Sequence, residues 1–554
     1  MADILTKSQR SFNMSRIRSG KTLPEQIMKR ILIDLDIKKF KERVKDLSGK
    51  PDFYLLDHKI VIFIDGCFWH KCKKCYISPK TNKKFWEEKI STNVERDIRV
   101  TKVLNERGIK VIRIWEHELK NPDRGFTMNL MQQIENDKEK QTNVLDLFAG
   151  AGGLSEGFIR AGCNMIGHVE MDKDSCSTLT TRMIYHALIK KGRLNEYKNY
   201  ILGKISRDDL IKKYGLEKER DSVIQAKIGK DNYQNIINEI KLRLGKNSLD
   251  IIVGGPPCQA YSYIGRARDD NNMRRDERNF LYKYYVEFLK AFHPKIFVFE
   301  NVPGLISAGG KGSHKGRYLR DMRRLMKEAG YETNYKILNA ADYGVPQNRK
   351  RVILVGWNKK SKLKSYPEFQ KVERNYLVND FICGLPCVKA GGGENLIEGF
   401  SAKGEALNKG IILTPGFDML MDHISRPNNE QDLKIYRLAV LAKQKGENIK
   451  YNRLPKELKS HSNEKGFLDR FKVVDNNAKG SHTVVAHIAK DGHFYIHPDL
   501  GQNRSLTIRE AARLQTFPDD YKFEGARGSR FKQIGNAVPP LFSTIIAMEL
   551  KKYL

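Results

Sequence analysis

The strongest constraint on the fold is a repeated pattern of short apolar strands, each followed by a stretch long enough for a helix. The strand patterns are VLDLFAG from Val144, LDIIVGGPP from Leu249, KIFVFENV from Lys295 and KRVILVGW from Lys350. Short apolar runs bounded by glycine or proline are typical of strands buried on both faces. The alternation therefore predicts an α/β domain of the doubly wound, Rossmann-like type, a parallel sheet with helices on both faces.

The chain is longer than one such domain. Its 554 residues fit roughly two to four domains. Ahead of the alternation, two strands in KPDFYLLDHKIVIFIDG and a helix and strand in ERDIRVTKVLNERGIKVIRIWEHEL predict a separate small α/β domain. The predicted divisions are a domain at 1–135, a polar linker at 136–143, an α/β catalytic domain at 144–358 plus 503–554, and an inserted irregular domain at 359–502.

Charge indicates the kind of partner. Lys and Arg outnumber Asp and Glu by 100 to 66, which gives a net charge of +34 and a pI near 9.6. This balance favours a polyanionic binding partner, and nucleic acid is the first candidate. A generally lysine-rich proteome would give a basic chain as well. The start resembles no signal peptide and no run of 18 apolar residues occurs, so we expect a protein of the reducing cytoplasm without a membrane partner.

A dense cysteine cluster lies in the stretch FIDGCFWHKCKKCY. Cys67, Cys72 and Cys75 have the spacing C-x4-C-x2-C, and thiolates this close can converge on one tetrahedral ion, for which zinc is the natural candidate. His117, at the end of the strand in IRIWEHEL, is a candidate fourth ligand. The alternative is a group of buried structural thiols, which the lysines in this stretch disfavour.

The first 120 or so residues resemble the very short patch repair (Vsr) endonucleases, bacterial enzymes that nick beside T:G mismatches. The resemblance rests on RSFNMSRIRS, KPDF, VIFIDGCFWH, FWEEKISTNVERD and VIRIWE, in the order of the family. It implies a restriction-endonuclease-like fold with a zinc site, in which His117 replaces the usual cysteine. It also implies that Asp52 binds Mg²⁺, that His70 is the general acid or base, and that Glu25 supports them.

Two features bear on that resemblance. Ile64 and Asp65 stand where the family usually has Thr-His, so an acid replaces a potential cation near the phosphate. The extra carboxylate would either help to bind a second metal ion or repel the phosphate. The residues matching the aromatics that the family wedges into the base stack are Phe68, Trp69 and Trp86, for which ordinary core packing is the alternative.

The second part of the chain carries a cofactor pattern and a reactive cysteine. VLDLFAGAGGLSEGF places a glycine-rich turn between a strand and a helix, and Glu170 follows Gly150 by 20 residues, the distance of an acid that binds ribose hydroxyls. Cys258 follows two prolines at the end of a strand, where a nucleophile belongs. Glu300 ends another strand, and Arg349 and Arg351 lie at the start of a third.

From Val144 to Leu554 the chain resembles the DNA cytosine-5 methyltransferases. The motifs DLFAGAGG, GGPPCQ, ENV, QNRKR, LTIREAARLQTFPDDY and QIGNAVPP occur in the family's order. The resemblance implies that S-adenosylmethionine contacts Phe148, Gly150, Gly152, Gly153, Glu170, Met171 and Asn536. The usual acid between Glu170 and Cys258 is not evident, and Asp231 is a weak candidate. By position, residues 359–502 match the target-recognition domain.

The family chemistry assigns a role to each candidate. Cys258 would attack C6 of a flipped-out cytosine, Glu300 would engage N3, and Arg351, helped by Arg349, would bind the exocyclic oxygen. We expect one bacterial, nucleoid-associated enzyme that methylates cytosine in double-stranded DNA and nicks T:G mismatches, acting as a monomer on DNA and alongside mismatch-repair proteins. Two alternatives stay open: a single-chain restriction-modification enzyme, or a methyltransferase with an inactive nuclease-like binding module.

Overall fold

The structure is a computed structural model that describes residues 22–35, 37, 39–79, 82–107, 109–120, 122, 124–135, 141–257, 280–308, 315–373, 376–401, 411–464 and 467–554. The predicted nucleophile Cys258 lies outside the described residues. The chain forms two compact units, Met1–Lys140 and Gln141–Leu554. The predicted linker lies mostly outside the described residues, and its last position, Asn143, already begins a strand.

The first unit contains a four-stranded sheet. Its strands are β1 (Phe40–Glu42), β2 (Phe53–Leu55), β3 (Ile60–Asp65) and β4 (Lys110–Trp115), and its helices are α1 (Leu23–Asp34), α2 (Lys83–Glu106), α3 (Glu116–Lys120) and α4 (Arg124–Glu135). The sheet order is β1-β2-β3-β4, with antiparallel pairs up to β3 and a parallel pair between β3 and β4. The two strands and the helix-strand pair predicted here are therefore confirmed.

Both faces of this sheet are buried. Along β3, Ile60 and Ile62 pack in one core with residues of α1 and α4, whereas Val61 and Phe63 pack in another with residues of α2. The alternation follows from the two-residue period of a strand. As a result, the residues after β3 and β4 emerge together at one edge of a rigid layer.

The second unit contains a seven-stranded sheet of order β10-β11-β9-β8-β5-β6-β7. The strands are β5 (Asn143–Leu147), β6 (Asn164–Glu170), β7 (Val223–Gln225), β8 (Ile251–Gly254), β9 (Ile296–Asn301), β10 (Glu332–Asn339) and β11 (Lys350–Trp357). The five strands from β9 to β7 are parallel, as predicted, but β11 runs antiparallel to both β9 and β10. The prediction of a parallel sheet is wrong at this edge, because the link from β10 to β11 is too short for a helical crossover.

Helices cover both faces of this sheet. The helices of the second unit that the structure describes are α5 (Gly153–Arg160), α6 (Lys173–Lys190), α7 (Leu194–Ile201), α8 (Arg207–Tyr214), α9 (Glu217–Asp221), α10 (Tyr233–Leu244), α11 (Leu281–Phe292), α12 (Arg317–Glu328), α13 (Asn379–Ile382), α14 (Glu430–Gln444), α15 (Ile508–Leu514), α16 (Arg527–Asn536) and α17 (Pro540–Lys551). Alternate strand residues enter two separate cores, for example Val253 and Val298 on one side and Ile252 and Phe297 on the other. This arrangement is the predicted doubly wound fold.

In its described residues, the region predicted as an irregular insertion holds one antiparallel strand pair, β12 (Gly393–Glu398) with β13 (Met419–Ile424), and helices α13 and α14. The sequence SHTVVAHIAKDGHFYIHPD predicts a strand pair leading out of this domain, and that prediction is wrong. That segment, which the structure describes throughout, forms a 3-10 helix at Ala486–Ala489 and single bridges such as Val473 with Ile496.

In the described residues, no helix has the length and apolar character needed to cross a bilayer.

Candidate functional site

The glycine-rich turn after β5 leaves space for a ligand. Phe148, Gly150 and Gly152 all have left-handed backbone conformations, with φ of 61°, 55° and 81°. A Cβ built on Gly150 would meet no described atom within 4 Å, whereas a Cβ on Gly153 would lie 2.1 Å from the carbonyl oxygen of Val538. Gly153 therefore lets α5 pack against the C-terminal motif, and Gly150 faces the open side on which a cofactor can lie.

Glu170 is fixed at the end of β6, beside this turn. One carboxylate oxygen accepts a hydrogen bond from the amide of Gly150 at 2.8 Å, and the other accepts from the amides of Met171 and Asp172, also at 2.8 Å each. Met171 is 56% exposed and flanks the same opening. The position suits an acceptor of ribose hydroxyl groups, as expected from the 20-residue spacing.

The end of the neighbouring strand β7, which the structure describes, carries no second acid beside Glu170. In the register of β6 with β7, Glu170 pairs with Gln225, an amide residue. Asp231, the weak candidate, is exposed in the turn before α10. Asn536 ends α16 at the surface, immediately before the segment that packs on Gly153.

Tyr521 closes the turn from the opposite side. Its fully buried hydroxyl donates to the carbonyl of Ala151 at 2.5 Å, and the amide of Gly152 donates to Ala149 at 3.0 Å. The peptide between Ala151 and Gly152 is thus held at both ends. Tyr521 is the last residue of the motif LTIREAARLQTFPDDY, but the sequence gives no sign of this contact because the partner lies 370 positions away.

The strand ends that carry the catalytic candidates are brought together by close backbone contact. A Cβ on Gly254 would lie 1.8 Å from the carbonyl oxygen of Leu147, and one on Gly255 would lie 1.9 Å from that of Glu300. The side-chain amide of Asn301 donates to the carbonyl of Pro256 at 3.1 Å. The segment that leads to position 258 is therefore anchored beside Glu300.

The two arginines of QNRKR have different positions. Nε of Arg351 lies 2.7 Å from a carboxylate oxygen of Glu300, so these two side chains form an ion pair at the strand end. Arg349 is fully buried and donates to the carbonyls of Val484 at 2.7 Å and Gly535 at 3.1 Å. Arg349 therefore links the backbone around Val484 to that around Gly535. This structural position differs from the expected contact with the exocyclic oxygen of the substrate.

In the first unit, the four residues predicted to bind zinc lie close together. Sγ of Cys67 and of Cys72 lie 3.2 Å and 3.7 Å from Nδ1 of His117, and the ligand atoms of these residues and Cys75 all lie within 4.8 Å of one another. Ligands around a tetrahedral zinc ion, at about 2.0–2.3 Å from it, are about 3.4–3.8 Å apart. The donor set and its spacing therefore fit zinc.

Asp52 lies next to the end of β3. One of its oxygens accepts from the amide of Ile64 at 2.7 Å. Its pKa is raised to about 6, chiefly by burial and in smaller part by the carboxylates of Glu25 and Asp65. A cation bound here would favour the ionised form, so the position fits a divalent metal. Glu25, in the first turn of α1, is 3.4 Å from Nη2 of Arg43.

His70 has a partner that sequence reasoning missed. Its Nδ1 lies 2.5 Å from Oδ2 of Asp97, which projects from α2. This contact orients the imidazole and leaves Nε2 as the nitrogen for proton transfer. Asp97 is part of the quoted stretch FWEEKISTNVERD, and its position 27 residues after His70 gave no sign of the pairing.

The three aromatic candidates form one half-buried cluster. The ring centroids of Phe68, Trp69 and Trp86 are 5.4 to 5.7 Å apart. None of the three is fully buried, and the neighbouring Phe85 is 56% exposed. The cluster therefore lies at the surface of the unit, where apolar rings are accessible to a partner.

A doubly wound sheet with a glycine-rich cofactor turn, and an acid-arginine pair at the adjacent strand ends, defines the second unit as a cofactor-dependent enzyme. Residues 142–211 and 216–552 match the family model of the C-5 cytosine-specific DNA methylases, and residues 2–77 match that of the DNA mismatch endonuclease Vsr. The chain belongs to the C-5 cytosine-specific DNA methylases and carries a Vsr-like N-terminal unit. The methylase family uses S-adenosylmethionine, and both families act on DNA.

Relatives agree with this assignment. Type II methyltransferase M.Bpa9945I of Bacillus paralicheniformis is 40% identical over 448 residues, which cover 74% of this chain and 98% of that protein. M.XorII of Xanthomonas oryzae is 30% identical over 430 residues, covering 74% and 84%. A crystal structure of a prophage-encoded DNA modification methyltransferase from E. coli has a TM-score of 0.50 at 22% identity, covering 74% of this chain and 99% of that one.

We expect Tyr521→Phe to weaken S-adenosylmethionine binding by roughly two- to tenfold, the equivalent of one hydrogen bond of about 0.5–1.5 kcal/mol. The ring and its packing are retained, so kcat at saturating cofactor should change less than KM. Titration calorimetry and steady-state methylation measure both effects. Tyr553→Phe, which loses a hydroxyl contact to Glu549 instead, is the matched control. Equal cofactor affinities of wild type and Tyr521→Phe would contradict the role given to this hydroxyl.

Proposed function

We propose that the second unit methylates C5 of cytosine within a specific DNA sequence, with S-adenosylmethionine bound above the glycine-rich turn. The open space at Gly150, next to the fixed Glu170 carboxylate, is the observation that supports the cofactor position. Phe148, Gly152, Gly153, Met171 and Asn536 complete the proposed contact set. When bound, the cofactor supplies the methyl group.

The roles of the protein residues follow from the chemistry of cytosine, whose C5 is too weak a nucleophile to be methylated unaided. Cys258 attacks C6 of a base that has been flipped out of the duplex, and so makes C5 nucleophilic. Glu300 engages N3, while Arg351 stabilises charge at the exocyclic oxygen. The ion pair between Glu300 and Arg351 holds both groups in place before substrate arrives.

For the first unit, we propose a zinc-stabilised nuclease that nicks DNA beside T:G mismatches. Asp52 lies within electrostatic reach of Glu25 and Asp65. Nδ1 of His70, which pairs with Asp97, lies 3.8 Å from Oδ1 of Asp65, and this grouping at the end of β3 is the observation that carries the proposal. Asp52 would hold Mg²⁺, which supplies polarisation of the phosphate when bound. His70, held by Asp97, would move the proton of the attacking water through Nε2. Cys67, Cys72, Cys75 and His117 would hold the structural zinc ion.

The two activities belong together chemically. Deamination of 5-methylcytosine gives thymine opposite guanine, so a methyltransferase creates sites at which T:G mismatches arise. A mismatch nickase on the same chain would start the repair of lesions that arise from the product of its partner unit. The accessible ring cluster of Phe68, Trp69 and Trp86 supports mismatch selection, because unstacking costs least where a base pair is already mismatched.

The nucleophile is tested by covalent trapping. A duplex with 5-fluorocytosine at the target blocks release of the enzyme, since fluorine cannot leave C5 as a proton does. We expect wild type to form a complex that survives denaturing electrophoresis and Cys258→Ser to form none. Cys383→Ser is the matched cysteine control and should trap like wild type. A persistent adduct with Cys258→Ser would overturn the assignment.

The nuclease is tested with three duplexes that carry the methylation sequence as T:G, unmethylated C:G or methylated C:G pairs. We expect Mg²⁺-dependent nicks in the T:G duplex alone, and none with Asp52→Asn, which keeps the acceptor for the amide of Ile64 but loses the charge. Cys258→Ser is the control that should nick normally. Double-strand cleavage of the unmethylated duplex would instead indicate restriction, and no cleavage of any duplex would leave a binding module.

A further inference from the structure

One guanidinium in the first unit pairs with two carboxylates. Arg113, on β4, places Nε 2.7 Å from Oδ2 of Asp65 and Nη2 2.9 Å from Oδ1 of the same residue. The same Nη2 lies 2.8 Å from Oδ1 of Asp97. A guanidinium that pairs bidentately with one carboxylate and bridges to a second has a strongly defined orientation.

The surrounding sheet holds Arg113 in this position. In the parallel register of β3 and β4, Arg113 lies opposite Phe63, and its guanidinium lies over the Phe63 ring at 4.8 Å from the centroid. The side chains of Arg113, Asp65 and Asp97 are only 23%, 6% and 15% exposed. The pairing is therefore partly shielded from solvent, and its partners come from rigid elements.

All four carboxylate oxygens in this group have partners. Asp65 uses both oxygens for Arg113, and Asp97 divides its oxygens between Arg113 and His70. Ligand atoms of Asp65, His70 and Asp97 lie within 4.8 Å of one another, a set able to hold a divalent ion. Two-metal nucleases place a second cation between such carboxylates to offset their charge beside the phosphate. Here a positive charge is already present, and a guanidinium does not lose its proton in proteins.

We infer that Arg113 is the built-in cation of the nuclease centre, taking the place of a second divalent ion between Asp65 and Asp97 and positioning Asp97 against His70. The role of Arg113 in catalysis rests on the proposed nuclease function. The inference explains the departure at position 65: Asp65 and Arg113 form a matched pair, so the acid neither recruits a metal nor repels the phosphate. The centre then uses one divalent ion, at Asp52.

The number of Mn²⁺ ions bound per chain tests this without any turnover. Zinc-loaded full-length protein is titrated with Mn²⁺, and free ion is followed by electron paramagnetic resonance. Wild type should bind one ion that is lost in Asp52→Asn. Arg113→Ser should bind one ion more than wild type, since it frees three carboxylate oxygens of Asp65 and Asp97. Arg113→Ser with Asp65→Asn should lose that additional ion. Zinc content and melting temperature of each variant report on folding.

Asp65→Asn in the wild-type background gives an independent result, because it needs no removal of the arginine. It should leave the Mn²⁺ count unchanged. A wild type that binds two ions, one of them lost in Asp65→Asn, would overturn the inference, as would a folded Arg113→Ser with no additional ion. Failure of the proposed nuclease is distinguishable, since it would appear as absent nicking or an absent Asp52-dependent ion and would leave the difference between Arg113→Ser and wild type intact.

Discussion

The methyltransferase site depends on how closely the backbone of β8 passes between its neighbours. Gly254 and Gly255 leave no room for a Cβ against Leu147 on one side and Glu300 on the other. This contact brings the cofactor turn, the segment that leads to Cys258 and the Glu300–Arg351 pair to the carboxyl edge of three adjacent parallel strands. A larger side chain at either glycine would separate the strand ends and displace all three parts of the site together.

The nuclease-like unit follows the same principle on a smaller scale. The adjacent parallel strands β3 and β4 position two pairs of residues. Asp65 on β3 and Arg113 on β4 form the ion pair, and Cys67 and His117, which follow these strands, belong to the candidate metal site. His70 is only three residues from Cys67, so metal binding would hold the loop that carries it. A zinc ion bound there would therefore influence the geometry of the proposed nuclease centre.

Much of the fold was predictable because apolar runs report burial. The strands β5, β8, β9 and β11 all coincide with such runs, and the helix-strand pair of the first unit shows a clear amphipathic period. The direction of β11 was not predictable, since an apolar run looks the same whether its neighbour is parallel or antiparallel. Cys67, Cys72 and Cys75 were predicted as ligands from their spacing, and His117 from its position at the end of a strand. In contrast, Asp97 pairs with His70, 27 residues away in the sequence, and Arg113 pairs with Asp65, 48 residues away. No local sequence pattern predicts such contacts. The sequence QNRKR likewise does not distinguish Arg349, which donates to backbone carbonyls, from Arg351, which pairs with Glu300.

We propose that one chain both writes 5-methylcytosine and limits the mutations that this base causes. The most direct measurement is the frequency of C-to-T changes at the methylated cytosines in growing cells that lack other T:G-nicking activity and carry either wild type or Asp52→Asn. Methylation should be equal in the two strains, and C-to-T changes at the target cytosines should be more frequent with Asp52→Asn. Equal mutation frequencies at equal methylation would contradict the claim and leave the first unit without a role in repair.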